Sequence, residues 1–158
     1  LGGARRALHA DSDPWGLTLI VPQLLQEEII AHCQAEAPNQ ACGLVLFDNA
    51  GIARWVEKAT NRGAWPYGFQ IAPHSQLSAF RRAQSEEWSI GGVYHCHMAS
   101  PAIPTGRDIE RPVPEGMLYL IVSLLFPEQP DIQGFRLIGG VPHPIDLCTG
   151  ADRDLDVA

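Results

Sequence analysis

A chain of 158 residues, 46% hydrophobic and 18% charged, is long enough to bury a core of its own without disulfide staples, and one globular domain is the expectation. Eleven Lys and Arg against 18 Asp and Glu leave a formal charge of -7, which argues against a surface for nucleic acid or anionic membrane, since both require clustered cations. Four cysteines without CxxC spacing, and no visible signal peptide or long apolar span, point to a reducing cytoplasm.

Residues 1–16 carry turn formers and little periodicity, so a flexible N-terminal segment is expected there. Leu17 to Val21 is a short β-type run, and Pro22 suits the first turn of a helix in which Leu25, Ile29 and Cys33 recur on one face until Pro38 stops it. Ala41 to Phe47 reads as a buried strand and Ile52 to Ala59 as its hairpin partner across the Asp48 to Gly51 turn. A loop with Trp65 and Tyr67 follows, then a possible short strand at Phe69 to Ile71. His74 to Trp88 suggests a second helix with Leu77, Phe80 and Ala83 inward.

The densest chemistry comes next, in GGVYHCHMASPAIPTGRD from Gly91 to Asp108. An apolar run ends in His95-Cys96-His97. On an extended backbone residues i and i+2 share a face, so His95 and His97 project together while Cys96 points away into the core. Asp108 lies eleven residues past His97, far enough for the loop to fold back and add a carboxylate to two imidazoles, leaving a fourth tetrahedral position open for water. Thr105 and Asp108 also fit a capping box opening a short helix that Pro112 and Pro114 would end. Capping alone would explain both residues; the His pair favours a metal.

Beyond the motif, Met117 to Phe126 is a strongly apolar strand and Ile132 to Ile138 the last strand, with residues 141–158 expected to be an irregular tail in which His143 is a surface residue. Helices alternating with strands and hairpins indicate an α/β or α+β domain, a mixed sheet flanked by helices, spanning 17–140.

The motif resembles that of the JAMM, or MPN+, zinc metalloproteases: His-x-His, seven residues, Ser, two residues, Asp, with a general-base Glu upstream. His95, His97, Thr105 in the Ser position and Asp108 match that spacing, and Pro38-Asn39-Gln40-Ala41-Cys42-Gly43-Leu44 is similar to the family's P-x-E-x-C-G-L segment. The resemblance covers about Leu17 to Ile138. It implies the cytidine-deaminase-like MPN architecture, one Zn2+ held by His95, His97 and Asp108, oxyanion stabilisation by Thr105, and a substrate channel bordered by Trp65, Tyr67 and Met98. The implied reaction is hydrolysis after the C-terminal Gly-Gly of a ubiquitin-like or sulfur-carrier protein, and the compact form is like that of prokaryotic members. Leu1-Gly2-Gly3 itself resembles such a tail, although three residues do not distinguish a tail from chance.

Gln40 stands where the family carries its Glu. A carboxamide is nearly isosteric with a carboxylate but has no basic oxygen at neutral pH. The implied enzyme is therefore disabled at one position. The competing reading is a non-catalytic MPN-type scaffold or module that binds a ubiquitin-like protein. A zinc nucleobase deaminase would require His-x-Glu and Pro-Cys-x-x-Cys, which are absent.

Overall fold

The computed structural model describes residues 19–63, 68–110 and 113–148. The expected flexible segment, Trp65, Tyr67, Pro112 and the last part of the tail lie outside them. Helix α1 (Gln23–Glu36) leads into the antiparallel hairpin β1 (Cys42–Phe47) and β2 (Ala53–Ala59). Helix α2 (Pro73–Glu86), strand β3 (Ser89–His97), short helix α3 (Gly106–Glu110) and strands β4 (Leu118–Ser123), β5 (Asp131–Ile138) and β6 (Val141–Ile145) follow. The six strands form one sheet in the order β2-β1-β3-β4-β5-β6. Among the described strands only β3 and β4 pair in parallel; the sheet is mixed, as expected.

Strand alternation sorts the central residues onto two covered faces. Tyr94 and Cys96 of β3, with Leu118, Leu120 and Val122 of β4, pack toward Ile29 and Cys33 of α1. Val93 of β3, with Tyr119 and Ile121 of β4, packs with Ala79 and Ala83 of α2. Gly43 admits the Tyr94 ring: a Cβ there would lie 2.3 Å from Tyr94 Cε1 and 2.5 Å from the Glu57 carbonyl oxygen. The phenol oxygen of Tyr94 is 2.7 Å from His32 Nδ1 on α1, tying helix to strand.

Three expectations need correction. Leu77 and Phe80 do not face inward; they are exposed, and Ser75, Ala79 and Ala83 form the buried stripe of α2. Small side chains let this helix lie close on the sheet, and its rotation is fixed by the Thr60 amide donating to Ser75 Oγ at 3.0 Å. On α1 the buried residues are Gln26, Ile29 and Cys33, with Leu25 only partly buried; Gln26 satisfies its buried amide by donating to the Val21 carbonyl at 2.8 Å. Finally, 141–145 is not irregular. Gly139 and Gly140, at φ +58° and +76°, make the two-residue turn that returns the chain along β5 as β6. Its Pro142 and Pro144 are tolerated because β6 is a sheet edge, and His143 is exposed as expected.

Candidate metal centre

The parallel pairing of β3 and β4 sets Ile121 opposite His95 and Ser123 opposite His97, so both imidazoles lie at the end of the most deeply buried part of the sheet. The loop after His97 is held by the Ser123 hydroxyl donating to the Ser100 carbonyl at 2.6 Å and by the Leu124 amide donating to the His97 carbonyl at 2.9 Å. It returns through Thr105 into α3, which carries Asp108.

Asp108 meets both imidazoles. Its Oδ1 lies 3.0 Å from His95 Nε2 and its Oδ2 3.0 Å from His97 Nε2. The capping box forms as well: the Thr105 amide and hydroxyl donate to Asp108 Oδ2 at 2.8 and 3.1 Å. Cap and cluster are therefore one arrangement. All three residues are buried, and their ligand atoms lie within 4.8 Å of one another.

Burial by itself would push the Asp108 carboxyl up, but the hydrogen bonds from His95 and His97 outweigh it and hold the group below the usual carboxylate range. Burial likewise disfavours the His97 cation, yet the Asp108 carboxylate and the Pro101 carbonyl make that imidazole more basic than usual. His97 Nδ1 lies 2.8 Å from the Pro101 carbonyl, which can only accept, so Nδ1 carries a proton and Nε2 is the nitrogen available to an ion. His95 is flanked by aromatic rings: Phe69 stacks on it at 4.7 Å and 23° between planes, and Tyr119 is tilted at 5.3 Å.

Two imidazole Nε2 atoms and a carboxylate, buried and converging, fit Zn2+ in chemistry and number. Gln40 is buried just ahead of β1. Since Cys42 is opposite His95 in the antiparallel β1–β3 pair, counting two residues back brings Gln40 level with His97 at this same end. Its carbonyl accepts from Asn61 Nδ2 at 2.9 Å. Met98, just past the end of β3, packs with the hydrophobic group on the α1 face. Phe69, Tyr119 and Asn61 were not singled out from the sequence. Phe69 also lines an apolar cavity of about 700 Å3, together with Leu44, Ile71, Val93, Val113 and Met117 among others.

The family model for prokaryotic homologues of the JAB domain matches residues 22–138, taking in Gln40, both histidines, Thr105 and Asp108. The chain belongs to that family. Curated relatives of this JAB domain include the desampylase of Pyrococcus furiosus, 31% identical over 106 residues, covering 67% of this chain and 74% of that one. A probable TtuB-protein conjugate cleaving protease of Thermus thermophilus is 37% identical over 95 residues, covering 60% and 64%. The CysO-cysteine peptidase of Mycobacterium tuberculosis is 25% identical over 124 residues, covering 77% and 84%. Among solved structures, a protein of Desulfitobacterium hafniense superposes with a TM-score of 0.74 at 27% identity, covering 82% of this chain and 91% of that one. A structure described as a JAMM metalloprotease-like zinc site in the proteasome and signalosome shares the fold at 13% identity, with a TM-score of 0.52 over 83% and 97%.

Proposed function

We propose that this JAB domain is built as a zinc-dependent isopeptidase for amides formed by the C-terminal Gly-Gly of a ubiquitin-like or sulfur-carrier protein, and that Gln40 disables it. The observation that carries the reading is the buried convergence of His95 Nε2, His97 Nε2 and the Asp108 carboxylate at one strand end. These three residues hold the ion. When bound, Zn2+ supplies Lewis-acid polarisation of the scissile carbonyl and acidifies the attacking water. The hydroxyl of Thr105, which donates to Asp108 Oδ2 at 3.1 Å beside the cluster, would serve as the donor to the developing oxyanion. Gln40 occupies the general-base position; its carboxamide can hydrogen-bond water but takes no proton, which costs about 10²- to 10⁴-fold in rate. Relatives named as desampylase, CysO-cysteine peptidase and TtuB-conjugate protease support the substrate class. The apolar cavity lined by Phe69 suits a large side chain of an extended tail, and four free cysteines suit a reducing cytoplasm.

The test is Gln40→Glu, loaded with zinc and offered a conjugate of a ubiquitin-like protein that it binds. Hydrolysis should rise by about 10² or more and vanish on adding His97→Ala. The Gln form should bind the same conjugate with comparable affinity. Gln40 itself favours one second reading, a module that binds but does not cut. Absence of cleavage above background by the Glu form would establish that reading and end the first.

A further inference from the structure

Asn61 uses its whole carboxamide. Nδ2 donates to the Gln40 carbonyl at 2.9 Å and to the Gly68 carbonyl at 3.4 Å, while Oδ1 accepts from the Gly63 and Gln70 amides, both at 2.9 Å. Two donors and two acceptor sites are the full capacity of an amide side chain. The orientation is determined, because exchanging Oδ1 and Nδ2 would aim donors at N–H groups and an acceptor at carbonyls. Around it the backbone pairs for one short stretch: the Arg62 amide donates to the Gln70 carbonyl at 2.8 Å and the Ala72 amide to the Thr60 carbonyl at 3.0 Å.

Gly68 and Gln70 are the residues on either side of Phe69, the ring stacked on His95. One side chain thus holds the backbone of Gln40 and Gly68 through Nδ2 and that of Gly63 and Gln70 through Oδ1, and so touches both neighbours of Phe69. We propose that Asn61 is a positioning residue for the metal centre, holding Gln40 and Phe69 in fixed relation so that the Phe69 ring sets the plane of the His95 imidazole. Groups behind a metal ligand that fix its ring orientation tune affinity for the ion. A ring stacked at 4.7 Å does this for His95 as the Pro101 carbonyl does for His97. Asn61 makes no hydrogen bond to the side chains of His95, His97 or Asp108, so its effect passes through Phe69. The inference rests on the metal reading above.

The experiment compares chelator-stripped wild type, Asn61→Ala, Phe69→Leu and the double variant, with zinc affinity read by competition against a chromophoric chelator. Each single change should weaken zinc binding by about tenfold. Because both act on one ring contact, the double variant should lose little more than either alone. A second readout needs no metal: the ring-current displacement of the His95 proton resonances in the apo protein should shrink in Asn61→Ala. Should that variant fail to fold, Asn61→Asp replaces it, keeping acceptance from Gly63 and Gln70 but losing donation to Gln40 and Gly68, and an intermediate loss of affinity is expected. Zinc affinity within twofold of wild type, multiplying losses, or unchanged His95 resonances would overturn the role of Asn61. If wild type binds no zinc, the metal reading has failed, and the His95 resonances alone decide the clamp.

Discussion

Asp108→Asn separates the two roles this residue combines. The carboxylate faces both imidazoles at 3.0 Å and caps α3 through Thr105. Asn keeps one acceptor for the cap but removes the charge and turns a donor toward an imidazole N–H. Truncating one partner of a buried, hydrogen-bonded charge pair costs about 3–5 kcal/mol; with the cap half kept, about 3 kcal/mol is expected in the metal-free protein. The cost depends on pH in a definite direction. Asp108 is depressed in the folded state, so its contribution is present above the unfolded carboxyl value of about 3.9 and is lost as pH falls through the lower folded value. His97 is raised, so its contribution is full below about 6.5 and is lost as pH rises through the higher folded value. Both act together between about pH 4 and 6.5. Urea unfolding of the chelator-stripped proteins should show the largest gap near pH 5.5 and a narrower one near pH 9. An equal gap at the two pH values would mean that Asp108 acts only as a helix cap and that the imidazole pairing is energetically idle.

Metal analysis after stripping and reloading should find one Zn2+ per chain, lost in His95→Ala and in Asp108→Ala; full stoichiometry in both variants would refute the ligand assignment. Gly43→Ala forces a Cβ to 2.3 Å from the Tyr94 ring, so a loss of roughly 1–3 kcal/mol in denaturant unfolding is expected, and an unchanged midpoint would contradict that packing. Cys33, Cys42 and Cys96 are buried, and the Cys33 thiol is held above the usual range by its hydrogen bond to Cys96 and by burial. A chromogenic thiol reagent should therefore react quickly with at most one group in the native protein, Cys148, and with four after denaturation.

The cluster was legible because a strand repeats every two residues: His95 and His97 had to share a face wherever the sheet lay, and the spacing to Asp108 left room for the return. The hairpin of β1 and β2 was legible through its turn and apolar runs. Helix α2 and its buried Ala83 were legible, but Leu77 and Phe80 mislead about its inner face because hydrophobicity alone does not decide it. Close approach to a sheet instead selects small residues, and Ser75, Ala79 and Ala83 outrank Leu77 and Phe80 there. Strand β6 was missed because Pro142 and Pro144 look like strand breakers, and only its place at the sheet edge makes them harmless. Phe69 and Asn61 leave no local trace, because their importance lies in partners from elsewhere in the chain: His95 for one, Gln40 for the other.

The lone parallel neighbours β3 and β4 cannot be joined by a tight turn, because the chain must travel back the full length of a strand before β4 begins. That return path delivers Asp108 to the histidines before it has finished its journey, dividing the connection into two stretches with different tolerances. Between His97 and Asp108 the length is a ruler, and a residue added or removed there moves the carboxylate relative to the imidazoles. Between Asp108 and Leu118 the path has only to reach the far end of the sheet, so additional chain can be accommodated. A chain lengthened after the carboxylate should therefore keep the cluster, while one lengthened before it should not.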